Sequence, residues 1–255
     1  MLLEFARIRG LKRRIYIVPV MTPRLSSYWL YFVTATSYKL AVALVHSMKI
    51  EVICRDSSIN DILEVSPMSY KKAISLAFSK IESNQIISSW KDAYSSSGNS
   101  DNISEFIEVP TFGCFTDQRT RAYKNKEECA HKIWSIGGQT GWYYGDWLWR
   151  TRGFLDKIAG GVGLRRGRTN PSSLQTGDAL DFWRVIYADK NEGRLLLFAE
   201  MKLPGEAWLE FKIVDEELIQ TATFRPLGLW GRLYWYSVLP LHGFIFRGML
   251  KKLTI

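Results

Sequence analysis

Cysteine is scarce in this chain: Cys54, Cys114 and Cys129 are the only three. No two of them form a C-x-x-C pair, so the spacing carries no metal-clip or dithiol redox signature. An odd, sparse count fits a reducing compartment, and the expected location is the cytoplasm. Histidine is equally scarce, with His46, His131 and His242 in separate segments. Nucleophilic catalysis needs a nucleophile, a base and an orienter within hydrogen-bond reach. No G-x-S-x-G elbow is present either, so no catalytic residue is expected, and no metal site. A dinucleotide fingerprint is also missing: Gly161-Val162-Gly163-Leu164-Arg165-Arg166-Gly167 comes closest, but its spacing is wrong and no βαβ unit surrounds it. The apolar run after the basic start is short and broken by Pro19, which is not the pattern of a signal peptide. Long hydrophobic runs are absent too. Residues 28–45 include Lys39 with several Ser and Thr, and residues 233–246 make up only about 14 positions. A membrane span needs roughly 20. Both segments are read as helices packed in protein.

What the chain does have is aromatic weight. Of 255 residues, 47% are hydrophobic and 23% charged, ordinary for a soluble globular protein, but 14% are aromatic and 10 are Trp. Such side chains bring large buried areas, suited to a thick core or a cavity wall. The formal net charge is +9. It allows an anionic membrane surface, nucleic acid or an acidic partner without choosing among them.

The polar run 94–102, Tyr-Ser-Ser-Ser-Gly-Asn-Ser-Asp-Asn, reads as a linker between residues 1–93 and 103–255. In the first segment the pattern predicts helices over 2–9, 29–48 and 69–81, with strands over 15–20 and 49–54. This is a small mixed α/β piece, thin for an independent core. In the second segment it predicts a strand over 106–115 and helices over 126–136 and 144–159. Strands over 179–188, 194–203, 207–214 and 218–225 follow, joined by short connections. Such spacing makes an antiparallel meander. Ala207, Leu209, Phe211 and Ile213 fall on one strand face and Glu206, Glu210 and Lys212 on the other. The last segment, 229–253, is apolar nearly all round at first, which predicts a deeply buried helix, kinked or broken at Pro240 and Gly243. The expected fold class is α+β, an antiparallel sheet curled around a long C-terminal helix.

Several blocks carry a family resemblance. They are Gly-Gly-Gln-Thr-Gly-Trp-Tyr-Tyr at 137–144, Asp-Trp-Leu-Trp at 146–149 and Arg-Gly-Phe-Leu-Asp-Lys at 152–157. Next come 160–168, then Gly-Asp-Ala-Leu-Asp-Phe-Trp-Arg-Val at 177–185, 199–209 and Gln-Thr-Ala-Thr-Phe at 220–224. Over residues 103–250 the chain resembles the bacterial family DUF2867. That family is similar in turn to the helix-grip (START-like, SRPBCC) superfamily, which implies an apolar cavity between the sheet and the terminal helix, holding a lipid or another bulky apolar molecule. Residues 16–29, Tyr-Ile-Val-Pro-Val-Met-Thr-Pro-Arg-Leu-Ser-Ser-Tyr-Trp, resemble the distal part of NmrA-like short-chain dehydrogenases. That resemblance implies a Rossmann half upstream of Met1. The expectation is therefore the C-terminal portion of a split or truncated fusion, with residues 1–93 as the remnant of a substrate-side lobe. NAD(P) would enter only if a separate nucleotide-binding chain supplied that half.

The cavity candidates are Trp142, Trp147, Trp149, Trp183, Trp208 and Trp235, with Glu200 and His242. Each Trp could instead fill core, Glu200 could lie on the wet face of its strand, and His242 could be a core residue bonded to backbone. Arg165, Arg166 and Arg168, with Arg150 and Arg152 nearby, are candidates for holding an anionic headgroup. Salt bridges to Asp146, Asp156, Asp178 and Asp181 are the alternative. Three functions follow: binding of an apolar small molecule or lipid; part of a split NAD(P)-dependent oxidoreductase; or a peripheral protein at the inner membrane face. Nucleic acid is not expected, since the aromatics sit in periodic positions.

Overall fold

The computed structural model describes residues 1–16, 23–34, 38–48, 50–53, 56–82, 106–164, 168, 170 and 173–255. The chain forms two compact units, Met1–Tyr31 with Thr36–Ile87, and Phe32–Ala35 with Ser88–Ile255.

The first unit is helical where it is described: α1 (Leu2–Ile8), α2 (Pro23–Val33), α3 (Tyr38–Ser47), α4 (Ser58–Ile62) and α5 (Tyr70–Glu82). The Ser69 hydroxyl accepts from the Lys72 amide and caps α5. Ring contacts join the helices: Phe5 of α1 meets Phe78 of α5 at 5.7 Å, and Tyr28 stacks on Tyr38 at 4.6 Å. Only Ala6, Ser27 and Ala41 are buried among its described residues. The strand expected at 15–20 falls mostly outside the described residues. The one expected at 49–54 is not formed over 50–53, which lie exposed with no neighbouring strand among the described residues.

The second unit is built on a six-stranded antiparallel sheet that does not close: β1 (Phe115–Ala122), β2 (Ala179–Leu180), β3 (Trp183–Asp189), β4 (Arg194–Ala199), β5 (Gly205–Val214) and β6 (Glu217–Pro226). The strand order is β1-β6-β5-β4-β3-β2. Two-residue turns suit hairpins when the first residue takes positive φ, and Asp215, between β5 and β6, does so at +50°. The helices are α6 (Lys126–Trp134), α7 (Asp146–Ile158) and α8 (Gly228–Leu253). Asn125 caps α6 by accepting from the Glu128 amide at 2.9 Å. The main core includes Leu209, Phe211 and Ile213 from β5, Leu195 and Leu197 from β4, and Phe246, Met249, Leu250 and Leu253 from α8. Alternation puts Leu196, Phe198 and Trp208 on the opposite face, in a second small cluster with Ile186.

Four expectations are corrected here. The strand expected at 106–115 is not one: Phe106 and Val109 cover the sheet's outer cluster, with Phe106 stacked on Phe198 at 4.1 Å. The true first strand starts at Phe115 and pairs only with β6. The strand expected at 179–188 is two, folded back at Asp181, whose φ is +53°. α8 runs unbroken through Pro240, an exposed position where the missing N–H costs one backbone bond. Nor is α8 deeply buried at its start: Leu229, Trp230 and Leu233 are exposed, because only one side of that half meets the sheet. Among the described residues no helix is long and apolar enough to cross a membrane.

Candidate functional site

Between the sheet and the helices α7 and α8 lies a cavity of about 360 Å³. Small-molecule sites are typically about 300–1,000 Å³ and mostly apolar. α7 contributes Leu148, Trp149, Arg152 and Leu155, and α8 contributes Tyr234, Trp235, Val238 and His242. The floor is Leu209, Ala222 and Phe224, with Met201 and Leu203 at the β4–β5 connection.

The family-like blocks hold these walls in place. The Asp181 carboxylate accepts from the Gly138 amide at 3.1 Å and from Trp142 Nε1 at 3.0 Å. Trp142 then stacks on Trp149 at 4.8 Å, so the glycine-rich loop fixes one wall of the cavity through two aromatic rings. The buried Asp156 accepts from the Gly163 amide at 2.9 Å and the Lys202 amide at 2.6 Å, tying α7 to the loop after it and to the β4–β5 connection. Gly248 must be glycine for a related reason. A Cβ there would come within 2.2 Å of the Tyr144 ring, which is where α8 meets the segment before α7.

The candidates separate clearly. Trp149, Trp183, Trp235 and His242 line the cavity. Trp208 touches its wall, but its indole packs in the cluster on the opposite sheet face, with Nε1 donating to the Phe106 carbonyl at 3.1 Å. Trp142 lies one ring behind the wall, and Trp147 is 65% exposed. Glu200 is not in the cavity. It forms a buried ion pair with Arg184 at 2.9 Å, both side chains at most 2% exposed, and Arg184 also donates to the Gly177 carbonyl at 2.8 Å.

His242 packs edge-on against Trp235 at 5.2 Å and beside Phe246 at 4.7 Å. Its Nδ1 is enclosed and has no hydrogen-bond partner among the described residues. Burial pushes its pKa down to about 4, assisted by Arg119 and opposed by Asp117, so the ring is neutral at pH 7. Tyr234 is also held above the ordinary tyrosine range, chiefly by burial.

Arg165 and Arg166 lie outside the described residues. Arg168 is a structural group: it donates to the carbonyls of Trp134, Ile136, Asn170 and Ser173, and burial lowers its pKa to about 10. The cation at the cavity is Arg152, which the sequence placed only near that cluster.

Burial raises the Cys129 thiol to about 11, and Cys114 is raised by the same cause. Among the described residues no cluster of three His, Cys, Asp or Glu side chains is formed.

A family described as proteins of unknown function, DUF2867, matches residues 114–249. No curated protein and no solved structure matches the chain.

Proposed function

The chain belongs to the DUF2867 family, and we propose that its matched region binds a bulky apolar small molecule or lipid between the sheet and α7 and α8, in a helix-grip arrangement. The carrying observation is the cavity of about 360 Å³ with its almost wholly apolar lining. A well-packed core leaves few voids larger than a water molecule, so a space of this size in the middle of an aromatic-rich region calls for an occupant. The lining holds no nucleophile–base pair, and the neutral His242 offers one hydrogen bond rather than proton transfer at neutral pH. Binding, not chemistry, is therefore the better reading.

The test is native mass spectrometry of the full chain purified from its own host, compared with a denatured sample. A retained lipid-like mass is expected. Val238→Trp, which places an indole in the cavity from a half-buried helix position, should abolish that mass while the circular dichroism spectrum is kept. Wild type carrying no added mass, and failing to take up added long-chain alcohol, would overturn the proposal.

A second reading rests on the first unit. Leu25, Tyr28 and Trp29 of α2 are exposed, as are Leu40 and Leu44 of α3 and several apolar residues beyond. Exposed apolar surface on this scale marks an interaction site. It supports a reading of residues 1–93 as the remnant of a dehydrogenase lobe that docks a separate nucleotide-binding chain. Any NAD(P) would sit on that partner. The same mass spectrum tests it, since a second polypeptide of nucleotide-binding sequence should co-purify, and a strict monomer would count against it.

A further inference from the structure

Arg152 is the one side chain of permanent charge among the residues lining the apolar cavity. Its Nε points to the Met201 thioether at 3.3 Å, and one terminal nitrogen reaches the Lys202 carbonyl at 3.3 Å. Both are weak or long interactions for a guanidinium, which carries five donors. No carboxylate forms an ion pair with it among the described residues. Asp156, one turn along α7, accepts instead from the amides of Gly163 and Lys202. The guanidinium lies 5.6 Å from the centre of the Tyr234 ring. That tyrosine lines the same cavity, and its hydroxyl makes no hydrogen bond among the described residues. Arg152 is half-buried on the same helix as the exposed Leu155, which also lines the cavity and so marks its rim.

A cation with spare donors beside a free phenol, at the edge of an otherwise apolar space, matches one ligand shape. We propose that the cavity takes a single-chain amphiphile with an anionic oxygen head, a carboxylate or a phosphate monoester. Arg152 and Tyr234 hold that head at the rim while the chain lies inward toward Trp235 and His242. Arginine suits such groups because its planar fork presents paired donors. The same charge disfavours a neutral chain end at the rim, which separates this ligand class from simple hydrocarbons. The inference rests on the cavity-binding reading above.

The test is titration calorimetry of the full chain with dodecanoate, dodecyl phosphate and 1-dodecanol, each below its micelle concentration. Wild type should bind at least one anion about tenfold more tightly than the alcohol, the scale of a charge-assisted hydrogen bond. Arg152→Met keeps the apolar stem and should erase that tenfold preference, read as the ratio of anion to alcohol affinity on the same variant. Tyr234→Phe should weaken the anion about threefold. The tighter of the two anions identifies the head. Equal binding of all three ligands, or an Arg152→Met protein that still prefers the anion, overturns the headgroup assignment and leaves the cavity reading standing. Failure of all three to bind overturns both.

Discussion

Trp29 of α2 leaves 70% of its surface in solvent, whereas Trp134 and Trp142 in the second unit leave 1% and 2%. The residue type is the same and the outcome is opposite. In the first unit short amphipathic helices meet through a few rings, and among the described residues no sheet gives their apolar faces a common plane. In the second, ten-residue strands β5 and β6 pair along their whole length and offer one continuous apolar face for α8 to cover. Apolar content therefore does not make a core by itself; a surface wide enough to be covered does. The difference also locates function, because the cavity lies where the covering is incomplete, while the first unit presents apolar surface outward.

The comparison can be broken most severely at the buried ion pair. Glu200→Ala leaves Arg184 without its carboxylate at a site 1% exposed, and should cost about 3–5 kcal/mol, read as a shift of the denaturation midpoint. A loss below about 1 kcal/mol would mean that the second unit is not held as tightly as its burial implies. Next in size is the response to acid. Between pH 6.5 and about 4 the unfolded chain takes a proton on His242 that the folded protein refuses. Stability from this group is complete above pH 6.5 and falls as the pH drops toward 4, by up to about 3 kcal/mol. Melting temperature against pH should show a shallower fall for His242→Phe than for wild type, and equal slopes would remove the histidine from the account. The smallest effect is expected in the first unit. Trp29→Ser should change stability by less than about 0.5 kcal/mol. A larger loss would show that its exposed face is covered in the working protein.

Part of this was legible beforehand. α5, α6, α7 and the strand meander follow from spacing and caps, since period 3.6 and period two are local properties of the chain. β1 was not legible. In Phe-Thr-Asp-Gln-Arg-Thr-Arg-Ala only Phe115 is an apolar residue of any size, and the strand exists because β6 offers it an edge. Residues 106–109 misled for the opposite reason: Phe106 and Val109 look like strand residues, and their apolar character is used to cover a sheet face instead. At the candidate site, the aromatic excess pointed to segments that line the cavity. It could not separate Trp149 and Trp235, which face the cavity, from Trp147, which faces solvent, or from Trp208, whose indole is turned to the other side of the sheet.

The residues alone determined the family, the α+β class and the antiparallel meander, because these rest on motifs and periodicities that neighbouring positions carry. Only the tertiary structure decided that Glu200 and Arg168 are structural, that His242 is neutral, and that Arg152 is the cation at the cavity. Pairing, burial and pKa depend on what distant segments bring to a side chain, and no local pattern encodes that.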